Sequence, residues 1–356
     1  MITIKKYEGS IIPFSSKSNK YISLIKKMLK LSKFELNECS KVQLILKKTD
    51  FLVLNWVESQ IINDRIIVSM IKFVSLYVYI VILSLRTNII WTMHNKRPHG
   101  SKGIEYFLSK KIMNLLAAKS KSIIIHSEES RKFLSQKSRI ADKVIYLPHP
   151  NYCNCYGDIL SNETNDTTLN LLFFGAINEY KNLDILIEIV KELDSFPIDL
   201  KIYGNGNFDI IDNLKKKIEN SNNITGIFRF IEDDEIPLIF SNAHIIVTPY
   251  DLNSSLNSGT NILAFSYAKT ILGPYNGTLK DMDKINEYFF AYDYETKEEH
   301  KEKLMEKILF ILNKYDRNFN ELNNLGEKCY EYVQENNNIT KISEIFKAKL
   351  LSKNIW

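Results

Sequence analysis

Cysteine is scarce in this chain, and its cysteines do not form a recognisable framework. Four cysteines in 356 residues are too few for a fold stapled by disulfides. Cys153 and Cys155 form a single C-x-C without a second pair, so we expect no zinc site. Low cysteine content is typical of a reducing compartment, and the N-terminus lacks the residue order of a signal peptide. We therefore expect a cytoplasmic protein.

A long uncharged apolar run is also missing. The stretch from Ile66 to Leu85 is nearly all apolar, but Lys72 interrupts it and leaves 13 uncharged residues, Phe73–Leu85. A membrane span needs about 20 such residues. We therefore expect a helix that is either buried in the protein or lies in a membrane interface.

Acidic residues are few in the first half of the chain. Residues 1–150 hold 26 Lys/Arg and 10 Asp/Glu, a balance of +16, and the remainder holds 21 and 32, a balance of −11. This asymmetry predicts an anionic partner such as a membrane surface or a lipid diphosphate, although solvated surface lysines remain an alternative. The basic residues are scattered and form no nucleic-acid recognition module, so we expect no nucleic-acid partner.

The rest of the composition, 45% hydrophobic and 25% charged, is typical of a globular protein, and the length fits two domains. Apolar strands alternate with helices, which predicts parallel sheets covered on both faces. Strands are predicted at Phe51–Asn55, Ile89–Met93, Ser122–His126, Val144–Tyr146, Leu169–Phe174, Asp199–Tyr203, Gly226–Ile231, His244–Thr248 and Thr270–Leu272, with a weaker one near Ile2–Ile4.

A polar, turn-rich stretch from Pro148 to Thr168 is the best linker in the chain. We expect a first domain at residues 1–150, a linker at 151–168 and a second domain at 169–335. Residues 336–356 are expected to form a C-terminal helix that can pack back on the first domain.

The most informative stretch runs from Val247 to Pro274. A buried strand leads into Pro249 and Tyr250, and Ser258-Gly259-Thr260 then opens an apolar helix. A helix N-terminus offers unpaired backbone N–H groups to an anion, so a nucleotide diphosphate would fit there. The alternative is an ordinary strand–helix unit with a serine cap.

Five segments, taken in order, resemble family 4-like bacterial glycosyltransferases of the GT-B fold. Two resemble the acceptor domain of such enzymes, and three resemble the donor domain. They are LNWVES (Leu54–Ser59), WTMHNKRPH (Trp91–His99), FFGAINEYKNLDILI (Phe173–Ile187), IYGNG (Ile202–Gly206) and FIEDDEIPLIFSNAHIIVTPY (Phe230–Tyr250).

The resemblance implies an α/β protein with two doubly wound Rossmann-like domains that face a cleft. It implies transfer of a sugar from a nucleotide-sugar donor to a lipid-linked glycan acceptor in capsule, exopolysaccharide or O-antigen synthesis. The enzyme would sit peripherally on the anionic inner face of the plasma membrane, with no cofactor and no catalytic metal. A GT-B sugar-nucleotide epimerase and a non-catalytic sugar-nucleotide-binding partner remain alternatives.

The resemblance also implies site residues. Those expected at the donor are Gly175, Lys181, Gly204, Tyr250, Ser258, Gly259 and Thr260, with Lys181 at a helix start. On the acceptor side, His94 is expected to be catalytic and Glu58 is the second candidate base, with Asn95 and His99 close by. For His94, Glu58 and Lys181 a purely structural or surface role is the alternative.

The chain departs from the family pattern at three positions. The arginine that often follows the first donor-domain glycine is replaced by Ala176. Two glutamates eight positions apart are replaced by Leu256 and Ala264, so the pair that usually holds the donor is absent. Inversion and retention of the anomeric configuration therefore both stay open.

Overall fold

The computed structural model describes residues 7–16, 19–63, 65–96, 103–135, 140–161, 167–316 and 318–352. The chain divides into two compact units. Unit 1 comprises Met1–Pro150 and Asn337–Trp356, and unit 2 comprises Asn151–Asn336. Residues 151–168, which the sequence suggested as a separate linker, fall within unit 2.

Unit 1 is built on a six-stranded parallel sheet with the order β2-β1-β3-β4-β5-β6. Its strands are β1 (Tyr7–Ile12), β2 (Phe34–Leu36), β3 (Phe51–Asn55), β4 (Asn88–Met93), β5 (Ser122–Ile125) and β6 (Val144–Tyr146). Its first helices are α1 (Tyr21–Leu31), α2 (Lys41–Leu46), α3 (Ile66–Ser84), α4 (Gly103–Lys119) and α5 (Glu128–Ser135). The sequence did not predict β1, β2 or α2, and the strand predicted near Ile2–Ile4 lies outside the described residues.

Unit 2 is built on a second six-stranded parallel sheet, ordered β12-β11-β10-β7-β8-β9. Its strands are β7 (Leu169–Phe174), β8 (Ile198–Tyr203), β9 (Ile224–Ile227), β10 (Ile245–Val247), β11 (Thr270–Pro274) and β12 (Phe290–Tyr292). Its helices are α6 (Leu183–Glu192), α7 (Phe208–Ile218), α8 (Ile236–Ser241), α9 (Gly259–Ser266), α10 (Gly277–Lys280), α11 (Lys297–Lys314) and α12 (Glu321–Asn336). The strand predicted at Gly226–Ile231 was misplaced, since β9 ends at Ile227, and β12 was not predicted.

The last helix, α13 (Ile339–Ser352), returns to unit 1 and packs on α1. Its apolar residues Ile342, Phe346 and Leu350 are buried in the same core cluster as β1, β3 and α1. The Ser32 hydroxyl donates a hydrogen bond to the Ser343 carbonyl oxygen at 3.2 Å. The C-terminal segment is therefore part of the core of unit 1.

Helix α3 is continuous through Lys72. Among the described residues it is the one helix long and apolar enough to cross a membrane by length and composition, with a mean hydropathy of 2.4 over 18 residues. Only 17% of that window is buried. Of the two settings expected for this helix, burial in the protein does not hold, because most of its apolar surface is exposed. The membrane interface stays a prediction.

Candidate functional site

The topology of unit 2 brings two loops together at one edge of its sheet. The strand order is that of a Rossmann fold: from β7 the sheet grows outward through β8 and β9 on one side and through β10, β11 and β12 on the other, so the order reverses between the neighbouring strands β7 and β10. Ligands of open parallel sheets bind at the carboxyl ends of the strands at such a switch point. The loop after β7 carries Gly175 and Lys181, and the loop after β10 carries Tyr250 and Ser258.

Lys181 lies at the centre of this edge. It ends a 3-10 turn, Glu179–Lys181, and α6 begins two residues later, so it does not open the α-helix as the sequence suggested. Its side chain is 6% exposed. The Lys181 Nζ atom stands 3.4 Å from the centroid of the Tyr250 ring, which places a cation over an aromatic face.

The charge of Lys181 is uncompensated. Burial lowers its pKa well below the ordinary value, and no carboxylate among the described residues forms an ion pair with it. A buried charge without a partner is costly to the fold. Such a lysine is the arrangement expected where an anionic ligand supplies the missing charge.

Two hydrogen bonds join the two loops near Lys181. The Asp251 N–H donates to the Tyr180 carbonyl oxygen at 2.8 Å, and the Asn182 side-chain amide donates to the Pro249 carbonyl oxygen at 3.1 Å. Asn182 adopts the left-handed conformation with φ of 49°. These contacts hold Lys181 against Tyr250 before any ligand arrives.

The N-terminus of α9 completes the edge, with one correction to the expected donors. Ser258 caps the helix by accepting from the Asn261 N–H at 3.1 Å, and its own N–H donates to the Thr278 hydroxyl oxygen at 3.0 Å. Ser258 is therefore occupied by protein partners. Gly259 and Thr260 are half-exposed, and first-turn N–H groups have no acceptor within their helix, so these two amides can face an anion.

Gly175 and Gly204, two of the three glycines predicted at the donor, have different roles. Gly175 has φ of +124°, and a Cβ there would lie 3.6 Å from the Thr260 hydroxyl oxygen, which links the β7 loop to α9. A Cβ on Gly204 would overlap the Gly175 carbonyl oxygen. Gly204 thus serves the packing of β8 on β7, and a donor contact for it stays a prediction.

The positions of the absent glutamate pair are apolar and closed. Leu256 and Ala264 are both fully buried. Nearby, the buried Asn261 side-chain nitrogen has no hydrogen-bond partner among the described residues. The loop therefore offers amide and hydroxyl groups rather than carboxylates.

In unit 1, polar side chains follow four consecutive strands at the same edge of the sheet. Asn55 ends β3, His94 follows β4, His126 follows β5, and His149 lies shortly after β6. All four are buried, and Tyr21 of α1 contacts the three histidine rings at centroid distances of 5.1–5.5 Å. Of these three histidines the sequence analysis singled out His94 alone. Each of them follows a buried strand, so the same pattern could have predicted all three.

His94 is held by two residues that the sequence did not single out. Its ring stacks on Trp56 with centroids 4.3 Å apart and planes 20° apart, and its Nε2 lies 3.2 Å from the Asn55 side-chain oxygen. An amide oxygen only accepts, so Nε2 carries the proton and Nδ1 is the basic nitrogen. Asn55 therefore orients His94. The acceptor-side role expected for Asn95 stays a prediction, and His99 lies outside the described residues.

The other two histidines are neutral structural groups. The His126 Nδ1–H donates to the Leu147 carbonyl oxygen at 2.9 Å, and the Tyr21 hydroxyl donates to Nε2 at 2.7 Å. Burial, together with the nearby His149, lowers the pKa of His126 to about 3. Burial lowers the pKa of His149 to about 4. Both rings therefore take up no second proton near neutral pH.

Glu58 lies on the 3-10 turn Val57–Ile61, which packs against α3 and α4. It is 3% exposed, so it is not the surface carboxylate that the sequence allowed as an alternative. Burial raises its pKa to about 7, with the Trp91 indole acting in the opposite direction. A catalytic role for Glu58 stays a prediction, and its enclosure ranks it behind His94.

Glu58→Gln should stabilise the protein more at pH 8 than at pH 5. Because the pKa is raised in the folded state, folding holds a proton there that the unfolded chain releases, and stability falls as pH rises from about 4.5 to 7. Glutamine does not ionise, so the variant does not lose this stability as pH rises. The difference in the free energy of unfolding is at most about 3 kcal/mol, taking about 1.4 kcal/mol per pKa unit. Urea unfolding at both pH values measures it, with the exposed Glu128→Gln as control. An equal change at both pH values would contradict the assignment.

No family model matches the chain. Two curated relatives from Xanthomonas campestris pv. campestris carry the name GDP-mannose:glycolipid 4-beta-D-mannosyltransferase. One is 23% identical over 236 residues and the other 22% identical over 239 residues. Each alignment covers 65% of this chain and 63% of the relative, so the chain matches less than two thirds of their length.

Solved structures resemble the chain over nearly its whole length. Anabaena HepE in complex with UDP and glucose has a TM-score of 0.68 at 11% identity, covering 98% of this chain and 100% of that one. Sucrose-phosphate synthase from Thermosynechococcus elongatus has a TM-score of 0.66 at 12% identity, covering 98% and 99%. Together with the two parallel six-stranded sheets, these matches confirm the predicted fold class: the chain has the GT-B fold of the nucleotide-sugar glycosyltransferases.

Proposed function

We propose that this chain is a glycosyltransferase that moves a sugar from a nucleotide-sugar donor to a glycolipid acceptor. The observation that carries the proposal is the buried Lys181, which has no carboxylate partner among the described residues and lies at the switch point of unit 2. A nucleoside diphosphate would supply the missing negative charge. The glycolipid acceptor is suggested by the names of the Xanthomonas relatives.

In the proposed reaction, the acceptor hydroxyl oxygen forms a bond to the anomeric carbon, and the bond from that carbon to the diphosphate breaks. The nucleoside diphosphate leaves with the electron pair, and Lys181 with the Gly259 and Thr260 amides stabilises the growing charge. The proton of the acceptor hydroxyl passes to His94 Nδ1. The Asn55 and Trp56 side chains keep the His94 ring in one orientation.

We propose that the sugar is added during synthesis of a surface polysaccharide such as a capsule or O-antigen. The enzyme would act from the cytoplasm as a peripheral protein on the inner face of the plasma membrane. The balance of +16 over residues 1–150 supports this placement, because that leaflet is anionic.

Lys181 and the α9 amides can supply the positive charge at the diphosphate, so we expect metal chelators to leave activity unchanged.

The test begins with donor binding by the purified protein. GDP-mannose and UDP-glucose are the first ligands, since the relatives' names and the HepE complexes point to those nucleotides. One nucleotide sugar should raise the melting temperature, with about 2.7 kcal/mol of stabilisation at 100 times its Kd. That same donor should then label a membrane glycolipid extract. Donor conversion without acceptor would favour an epimerase, and binding without any turnover would favour a non-catalytic partner.

A further inference from the structure

Helix α3 presents an apolar face where a surface helix ordinarily carries polar residues. Its buried side chains, Ser69, Leu76, Ile80 and Leu83, follow a single stripe toward the rest of unit 1. The opposite side carries Ile67, Ile71, Val74 and Val78, which are 50–69% exposed and recur at helical spacing. This side of the helix is therefore uncovered over about three turns.

Helix α4 extends the uncovered surface. It packs alongside α3, and its Ile104 and Phe107 are 53% and 56% exposed. An open groove of about 580 Å³ lies between the helices; it is lined by Phe73, Val74, Tyr77, Val78, Lys111, Asn114, Leu115 and Ala118. We call the exposed apolar residues of α3 and α4, with this groove, the α3–α4 face.

The stretch of sequence that carries the α3–α4 face is strongly basic. Residues 65–121 contain 10 Lys/Arg and one acidic residue, Glu105. The Glu105 carboxylate is turned inward, where it accepts from the Ser69 hydroxyl at 2.7 Å and from the Asn63 N–H at 2.9 Å. Lys110 is exposed, and Lys111 lines the groove with its Nζ 4.7 Å from the Phe107 ring centroid. Lys110 and Lys111 thus accompany an apolar surface, and the Glu105 carboxylate points away from it.

This combination matches the interface of an anionic bilayer, where apolar side chains enter the acyl boundary and lysines meet the phosphates. A span by α3 is disfavoured, because Leu76, Ile80 and Leu83 belong to the core of unit 1 and would have to leave it. A second copy on a two-fold axis would bring the same positive charges against each other. The core of a protein interface is also depleted in lysine.

We propose that the α3–α4 face inserts into the headgroup and acyl boundary of an anionic phospholipid bilayer, with α3 parallel to the membrane plane. This proposal rests on the proposed function in one respect: an enzyme whose acceptor lies in the membrane would benefit from docking there. The binding itself requires neither donor nor acceptor.

The experiment is co-sedimentation of the full chain with vesicles. Binding should be strong with phosphatidylglycerol-containing vesicles and weak with phosphatidylcholine alone. Ile71→Asn with Val74→Asn should weaken binding by at least about tenfold, since the side chains lost are apolar and exposed. Lys110→Glu with Lys111→Glu should weaken it most at low salt, where charge attraction is least screened. Phe208→Asn, an 80% exposed apolar residue of unit 2, is the matched control and should bind as the native chain does.

Equal binding by the Ile71/Val74 variant and the native chain would overturn the proposal. So would a change from dimer to monomer in that variant without loss of vesicle binding, which would assign the face to a second copy. If detergent releases the bound chain but high salt with alkaline carbonate does not, α3 spans the membrane and the proposed orientation is wrong. Nucleotide-sugar binding, measured on the same variants, should be unchanged. If the native chain binds vesicles but no nucleotide sugar, the proposed function fails while the docking surface stands.

Discussion

Replacing His94 with alanine should lower turnover by about 10²–10⁴-fold, the usual contribution of a positioned acid–base group. His94 follows β4, its ring is fixed by Trp56 and Asn55, and its Nδ1 is the basic nitrogen. The other histidines at this edge have both nitrogens bonded or a strongly lowered pKa, so they cannot replace it. Donor affinity should be retained, because the residues proposed to bind the diphosphate all belong to unit 2.

Three further measurements separate a catalytic His94 from a structural one. The melting temperature and the donor Kd of His94→Ala report whether unit 1 and unit 2 remain folded. Added imidazole should restore part of the lost turnover, which a packing defect would not allow. Asn55→Ala should reduce kcat less than His94→Ala and shift the pH profile, because it frees the ring without removing it. Near-normal turnover of His94→Ala would show that His94 is a structural residue, and Glu58 would then be the next candidate for the catalytic base.

Replacing Lys181 with methionine should weaken nucleotide-sugar binding and stabilise the free protein. The lost charge-assisted contact is worth roughly 1.5–3 kcal/mol, which is about 10- to 150-fold in Kd. The gain in stability follows from the lowered pKa, because burial of the charged form costs the folded state free energy at every pH below about 10.5. Methionine fills a similar volume and removes the uncompensated charge.

Calorimetry and urea unfolding measure both changes, and Lys191→Met on the exposed side of α6 is the matched control. Unchanged donor affinity in Lys181→Met would remove this lysine from the site, and a less stable variant would contradict the claim that its charge is uncompensated.

The regular parts of the fold could be predicted because their signals are local. Strands β3, β6 and β7 were predicted at their observed bounds, since each is a short run made mostly of apolar residues. Strands β1, β2 and β12 were missed because they are short or carry polar residues, and their pairing with distant strands decides their conformation. The return of α13 to unit 1 likewise depends on contacts more than 300 residues apart in the chain.

The candidate site was predicted in part. The sequence singled out Tyr250 and His94 after predicted strands and Lys181 at a predicted helix start. It could not show that Lys181 is buried over the Tyr250 ring, that Ser258 is occupied by Thr278, or that Asn55 orients His94. These facts depend on which loops meet at the edge of each sheet, and that is a property of strand order rather than of any one segment.

The return of α13 to unit 1 has a consequence for how the chain folds during synthesis. Unit 2 is one contiguous segment, so it can fold as soon as residues 151–336 have left the ribosome. Unit 1 is synthesised first, yet its core lacks Ile342, Phe346 and Leu350 until the final helix emerges. The nascent first unit therefore carries an open apolar groove on α1, in addition to the α3–α4 face, while the second unit is being made. Of the two units, the one translated first is thus the last to be completed.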